Sequence, residues 1–301
     1  MEKRGKVIDS NLIKLLSSLG CKILKDEPLS RHCSFKIGGP ADFFVEIPSK
    51  EALDCFLRSA STCNYFVLGG GTNILFGDDG YRGIIISLAG KFKEISVLGE
   101  KIISGSGALL SNVVNTALKN SLTGLECVAG IPGTVGGAIC GNAGNKYQWI
   151  SEAVEGVEVY KSLDEEFINK EKIVFGYRKS GLENCIITNV SFFLKRNTEN
   201  DSLSTISKSV QKRLETQPLS IPNAGSIFKN PVEFSVGKLV EESGLKGICI
   251  GGAKISELHG NFIVNCGDAS AKDVLALIDL IKNRVKEKFN IDLETEIKII
   301  K

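Results

Sequence analysis

Gly130-Ile-Pro-Gly-Thr-Val-Gly-Gly-Ala-Ile-Cys-Gly-Asn-Ala-Gly144 decides the reading of this chain, together with a shorter relative upstream, Val67-Leu-Gly-Gly-Gly-Thr-Asn-Ile-Leu75. Glycine lets the backbone adopt positive φ and lets another segment or a ligand come close to the main chain. Consecutive glycines also let successive N–H groups turn toward one anion. Neither stretch spells a standard phosphate loop. Read as G-x-G-x-x-G from Gly69, the third glycine position falls on Ile74, and no Gly-Lys pair is followed by Ser or Thr. A strand-ending turn explains Gly69 to Gly71 as readily as a ligand does. Two clusters in one region, the second holding Pro132 in an apolar context, tilt the reading toward ligand binding without naming the ligand.

Working outward, residues 38–144 hold 19 of the 32 glycines, residues 145–301 hold 11 and residues 1–37 hold 2. The surplus is therefore a property of one region. Absence of a three-residue glycine period, with only 7 prolines, excludes collagen, and 43% hydrophobic against 24% charged residues excludes disorder. At 301 residues the chain sits where single cores split, so two domains are expected. Lys and Arg total 37 against 35 Asp and Glu, a net charge of +2 that supplies no field for a polyanion. Nucleic acid is not expected as a partner. Nine cysteines, an odd number with no CxxC pair, read as reduced thiols of a cytoplasmic protein. His32 and His259 lie far apart without cysteines at ligand spacing, so no metal is expected. The N-terminus lacks an apolar h-region, and no run of 18 apolar residues occurs. Neither a targeting segment nor a membrane is expected.

Short apolar runs punctuated by glycine predict strands at Asp42 to Ile47, Tyr65 to Leu68, Ile84 to Leu88 and Lys101 to Ser104. Helical spacing marks Ala52, Leu53, Phe56 and Leu57, then Leu110, Val113, Val114, Ala117 and Leu118. Val157 to Lys161 and Cys185 to Lys195 read as further strands, and the polar stretch from Arg196 to Ser202 as a boundary. Leu203 to Glu215 predicts a helix. A longer one follows through Val274, Leu277, Ile278, Ile281, Val285 and Phe289, opened by Ser270 with Asp273 three residues later. Leu293 to Ile300 alternates as a terminal strand, which puts Glu294 and Glu296 on one face.

Two other groups carry polar residues in tight settings. Phe175-Gly-Tyr-Arg-Lys-Ser180 holds Arg178, which an ordinary surface cation would explain. Asn223-Ala-Gly-Ser-Ile-Phe-Lys-Asn-Pro231 presents Ser226, Lys229 and Asn230 in a segment that a capped turn would also explain.

Taken in chain order, six segments resemble the UDP-N-acetylenolpyruvoylglucosamine reductases, flavoenzymes of peptidoglycan precursor synthesis. They are Ser34-Phe-Lys-Ile-Gly-Gly-Pro-Ala-Asp42, Val67 to Leu75, Gly130 to Gly144, Tyr177-Arg-Lys-Ser180, Ala224 to Pro231 and Leu293 to Ile300. Each is weak alone; their order over nearly the whole chain is specific. The length resembles the shorter subtype, which lacks an inserted substrate-covering loop. The resemblance implies an α+β fold: an N-terminal segment (1–29), a vanillyl-alcohol-oxidase (PCMH)-type FAD-binding domain (30–196) and a C-terminal α+β substrate domain (197–301). It implies FAD contacts from Leu68, Gly69, Gly70, Gly71, Thr72, Asn73, Ile74 and Leu75 in the first cluster. In the second it implies them from Gly130, Ile131, Pro132, Gly133, Gly136, Gly137, Ala138, Asn142, Ala143 and Gly144. Catalytic roles fall on Arg178, Ser226 and Glu296, and contacts to substrate or nicotinamide on Tyr177, Lys229 and Asn230. FAD is the implied cofactor, with NADPH as co-substrate and a UDP-sugar enolpyruvyl ether as substrate; a monomer is expected. The chain departs from the family pattern at Asn145-Lys-Tyr-Gln148, at Thr295, where proline is usual, and at Lys298, where arginine is usual.

The implied reaction adds hydride to the terminal carbon of an enol ether conjugated to a carboxylate. Charge then moves into that carboxylate, giving an enediolate-like species before the α carbon is protonated. Arg178 suits the charge, because a guanidinium stays ionised and meets carboxylate oxygens with a fixed fork. Ser226 would deliver the proton with Lys229 easing its loss, and Glu296 would act in its protonated form. Another FAD-dependent oxidoreductase of the same fold is the nearest rival, although it would not need the Ser226 and Glu296 segments together. A non-catalytic glycine-rich interaction protein is a second, and it would be colourless.

Overall fold

In a computed structural model, which describes residues 10–60, 63–197 and 202–301, the apolar spacing closes into helices that each bury one face. Helix α1 (Ser10–Ser18) buries Leu12 and Leu16. Helix α2 (Lys50–Ser59) starts where the Ser49 hydroxyl accepts the Ala52 amide, and buries Ala52, Leu53, Phe56 and Leu57. Both lie in one core with Phe43, Val45, Ile47, Ile84, Ile86 and Leu88. Burying each large side chain there contributes roughly 1.5–3 kcal/mol. Those apolar positions alternate along the inner strands of a four-stranded sheet ordered Lys22–Pro28, Pro40–Ile47, Tyr81–Leu88, Tyr65–Val67.

Helix α3 (Leu110–Lys119) buries Leu110, Val113, Val114 and Ala117. The short helix α4 (Val135–Cys140) lies inside the second glycine cluster, with the Thr134 side chain as its N-cap. Together they cover a second core on an antiparallel five-stranded sheet ordered Asp164–Asn169, Val154–Lys161, Ile186–Phe193, Lys101–Gly105, Ile95–Leu98. Helix α5 (Ser202–Thr216) follows. Helix α6 (Val236–Glu242) and the 19-residue α7 (Ala271–Phe289) accompany three short antiparallel strands, Cys249–Ile250, Ala253–Ile255 and Ile263–Asn265. α7 buries Val274, Leu277, Ile278, Ile281 and Val285. Its start carries the expected capping box between Ser270 and Asp273.

The fold is α+β, and the chain packs into two compact units. One takes residues up to 25, 42–70 and 82–210; the other takes 26–41, 71–81 and 211–301. The expected division at 29/30 and 196/197 differs from this one, because residues 26–41 and 71–81 pack with the C-terminal third. Of the expected boundary stretch Arg196 to Ser202, residues 198–201 lie outside the described residues. The terminal strand is shorter than its alternation predicts. Only Lys298–Ile300 forms a ladder, parallel to Ile74–Phe76, because residues 294–296 commit their backbone bonds to another segment. No described helix is long and apolar enough to cross a membrane.

Candidate active site

In the first unit, the two glycine clusters rest on each other. A Cβ on Gly69 would lie 2.6 Å from the Thr134 hydroxyl, and one on Gly70 would lie 2.8 Å from the Gly133 α carbon. Glycine at these positions is required for the two segments to approach, before any ligand is considered. The amides of Gly69 and Gly70 donate to no protein acceptor among the described residues, and both residues are exposed. The second cluster is different. Val135 N–H donates to Ala108 O at 2.9 Å, Gly136 N–H to Ser106 O at 2.8 Å and Gly137 N–H to the Thr134 hydroxyl at 3.4 Å. The first turn of α4 is thus satisfied within the chain, and what it offers a ligand is close backbone approach. Gly130, Pro132 and Gly137 are exposed or half-buried. Leu68 and Ala138 are buried, and Ile131 and Ala143 pack against the second core. Gly144 closes a tight turn in which a Cβ would strike Gln148 O.

Asn142 is buried, and its side chain ties this cluster to the arginine segment. Its Nδ2 donates to Gly176 O at 3.0 Å, while its Oδ1 accepts Ser151 N–H at 3.4 Å. Gly176 and Lys179 close a tight reversal with backbone bonds of 2.9 and 3.3 Å, which leaves Tyr177 and Arg178 at its tip. Arg178 sits at φ 59°, a left-handed conformation that costs a non-glycine residue about 1–2 kcal/mol. Strain of this kind persists where the surroundings fix the chain, commonly at functional sites. The guanidinium carbon lies 5.3 Å from the Tyr177 ring centre and 5.7 Å from that of Trp149. The two rings meet edge to face at 5.7 Å.

In the second unit, the remaining glycine of the first cluster, Gly71 (φ 62°), packs where a Cβ would meet His32 O at 2.1 Å. Ser34 accounts for the first segment of the family pattern: its N–H donates to Gly71 O at 3.0 Å and its hydroxyl to Asn223 O at 2.6 Å. The Gly71 and Asn73 amides have no protein acceptor among the described residues. Asn73 Nδ2 donates to Glu296 O at 3.3 Å, and Lys298 N–H to Asn73 O at 3.0 Å. Ile74 and Leu75 continue as buried strand residues.

The Ser226 segment is clamped from both sides. Ile227 O accepts Glu296 N–H at 2.8 Å, and Lys229 N–H donates to Glu294 O at 2.9 Å. Opposite, Ile227 N–H donates to Asn261 O at 2.9 Å. The Asn261 side chain spans the Phe228 backbone, accepting its N–H at 3.0 Å and donating to its O at 2.8 Å. Gly225, at φ 77°, donates to Asn223 Oδ1 at 2.9 Å and lets Ser226 leave the turn. Ser226, Glu296, Thr72 and Asn73 are thereby brought together. The Lys229 ammonium pairs with the exposed Glu294 carboxylate at 2.5 Å. Asn230 Oδ1 accepts Val236 N–H at 3.0 Å at the start of α6. His259 Nδ1 accepts Asn261 N–H at 3.2 Å, and burial holds its pKa below the ordinary value.

Trp149 and Asn261 carry no signal in the sequence. Trp149 follows the stretch where the chain departs from the family pattern, and Asn261 belongs to an ordinary-looking loop before a strand. Burial pushes the Cys21 and Cys127 thiols up to about 11 and about 12, so both behave as apolar core residues. Among the described residues, no group of three His, Cys, Asp or Glu is placed to hold a metal.

Two family models match the chain, over separate stretches. A family model described as FAD binding domain matches residues 41–168. One described as UDP-N-acetylenolpyruvoylglucosamine reductase, C-terminal domain, matches residues 217–300. The UDP-N-acetylenolpyruvoylglucosamine reductase of Clostridium botulinum (strain Okra / Type B1) is 43% identical over 284 residues, 92% of each chain. That of Clostridium novyi (strain NT) is 41% identical over 293 residues, 95% of each. Among solved structures, the reductase of the same activity from Thermus caldophilus superposes with a TM-score of 0.82 at 37% identity, covering 93% of this chain and 99% of its own.

Proposed function

The chain belongs to the UDP-N-acetylenolpyruvoylglucosamine reductase family, and from that premise we propose that Arg178, Ser226 and Glu296 carry its chemistry. It is an FAD-dependent oxidoreductase that reduces UDP-N-acetylglucosamine enolpyruvate to UDP-N-acetylmuramate with NADPH, a step of peptidoglycan precursor synthesis. The residues present fit FAD. Unused, exposed amides at Gly69 and Gly70 suit its pyrophosphate, and the glycines from Gly130 to Gly144 let a flat ring approach the backbone. FAD held there would supply hydride transfer between NADPH and the substrate carbon.

Every other role falls to the chain. Arg178 faces the substrate carboxylate and neutralises the charge that develops there, and its aromatic surroundings lower the local dielectric and strengthen that interaction. Ser226 Oγ gives a proton to the α carbon. Glu296 acts as the neutral acid, so that it donates to the enediolate instead of repelling it. Tyr177, Lys229 and Asn230 contact substrate or nicotinamide. The observation that carries this reading is the backbone bond between Ile227 and Glu296, which fixes Ser226 and Glu296 on adjoining segments. The net charge of +2 fits an enzyme without a nucleic-acid partner, and nine cysteines outside any disulfide fit the reducing cytoplasm; a monomer is the assembly proposed.

Ser226→Ala separates the roles. NADPH should bleach the bound flavin at close to the parental rate. Return of the colour on adding the enolpyruvyl sugar nucleotide should slow by about 10²- to 10⁴-fold, the range for a positioned acid. Equal slowing of both steps would move the proton donor elsewhere.

A further inference from the structure

One residue makes three of the hydrogen bonds that fix the backbone immediately after Ser226. Asn261 O accepts Ile227 N–H at 2.9 Å, its Oδ1 accepts Phe228 N–H at 3.0 Å, and its Nδ2 donates to Phe228 O at 2.8 Å. The buried side-chain amide thus stands where the peptide of a neighbouring strand would. Asn261 is itself held. Its N–H donates to His259 Nδ1 at 3.2 Å, Ser256 Oγ accepts the Leu258 and His259 amides at 3.2 and 3.3 Å, and Ser256 N–H donates to Phe262 O at 2.8 Å. The His259 ring meets that of Phe262 at 4.9 Å and rests on α6, where a Cβ on Gly237 would lie 3.0 Å from it. The loop that carries Asn261 is therefore a fixed support.

Serine has one side-chain torsion to its oxygen, so the backbone at residue 226 and a choice among staggered rotamers settle where Oγ lies. A reacting group displaced by about 1 Å can lose about 10²-fold in rate. Bleaching of flavin by NADPH needs no proton from Ser226, whereas protonation of the substrate carbon does. On this basis we infer that Asn261 is a positioning residue for Ser226, its side-chain amide holding residues 227–228 so that Ser226 Oγ is set for proton transfer. The inference rests on the reading that Ser226 is the proton donor. Asparagine suits the place because it offers an acceptor and a donor side by side. Aspartate has the same shape, but when ionised it turns a second oxygen toward Phe228 O. Burial and that facing carbonyl raise the pKa of such a carboxyl, and once protonated its O–H restores the missing donor.

The test uses holoenzyme carrying Asn261→Asp, Asn261→Ser or Ser226→Ala, and each Asn261 change combined with Ser226→Ala, all matched for flavin content and measured where each is folded. At about pH 8, Asn261→Asp should slow the return of flavin colour by the enolpyruvyl sugar nucleotide about 10- to 100-fold, with bleaching by NADPH changed less than about twofold. Lowering the pH to about 5.5 should bring its return rate back toward that of the parent at the same pH, as the carboxyl takes up its proton. Asn261→Ser, which does not titrate, should show the same split without the recovery. In the Ser226→Ala background, Asn261→Asp should add less than about threefold. If Asn261→Asp does not retain flavin, Asn261→Ser and its combination with Ser226→Ala carry the same comparison. A parental rate of return, equal slowing of both steps, an undiminished loss in the Ser226→Ala background, or a loss in Asn261→Asp that ignores pH would each overturn the inference. A slow Ser226→Ala beside a parental Asn261→Asp would end the inference alone and leave Ser226 as donor. A parental return rate in Ser226→Ala would remove Ser226 as donor and take the inference with it.

Discussion

His259 shows how much a single half-buried ring controls near the proposed proton donor. Its Nδ1 accepts the Asn261 amide, so the ring carries its proton on Nε2, and Asn261 in turn braces Phe228 beside Ser226. Burial, with a smaller contribution from Lys246, lowers the folded pKa beneath its ordinary 6.5. The unfolded chain therefore takes up the proton first as pH falls. This contribution to stability is full above about pH 6.5 and is lost as pH drops through the folded value. Thermal melts from about pH 8 to about pH 5 should show Tm falling on the acid side, and His259→Gln should flatten that fall; an unchanged slope would remove His259 as its source. At this scale residue type and order are enough to propose Arg178, Ser226 and Glu296. The sequence is silent on Trp149 and Asn261, whose importance lies in partners that only folding brings near.

Individual elements divide along the same line. The amphipathic faces of α2, α3 and α7 follow from periodicity, and the Ser270–Asp273 capping box is readable because it is local. α4 is hidden, since Val135-Gly-Gly-Ala-Ile-Cys140 contains two adjacent glycines, each costing a helix about 1 kcal/mol. Its cap Thr134 and its packing against Ile186–Phe193 and Lys101–Gly105 overcome that cost. The second cap of α7 is equally hidden. The Asp78 carboxylate accepts the Ala271 and Lys272 amides at 2.7 and 3.1 Å from 193 and 194 residues away, satisfying donors that a helix start leaves open and complementing its positive end. Asp78→Ala should lower stability by about 1–2 kcal/mol, measured by urea denaturation. Asp78→Asn should recover part of it. No loss in Asp78→Ala would mean that Ser270 and Asp273 suffice.

At the scale of the whole molecule, composition and motif order identify an α+β flavoenzyme and predict contiguous segments, 1–29, 30–196 and 197–301. The units interleave along the chain instead, because the two strands Ile74–Phe76 and Lys298–Ile300 come from distant parts of it. No local signal announces such a pairing; parallel neighbours carry no turn between them. A fragment of residues 30–196 therefore lacks the partners of Ser34, Gly77 and Ile74. Expressed alone, it should be cleaved by protease within 71–81 far faster than the intact chain and should retain no flavin. Equal resistance would show that the segment folds without its C-terminal partner.

The parallel pairing also sets a clock on synthesis. Ile74 leaves the ribosome 224 residues before Lys298, its partner in register (298 − 74). At about 5–20 residues per second, that interval lasts about 10–45 s. Throughout it the apolar strand Ile74–Phe76 has no partner, and the adjoining Gly71 to Asn73 turn lacks the bonds that fix it. A long window for misassembly therefore opens at the segment proposed to hold the cofactor, and its closure waits on the strand Lys298–Ile300.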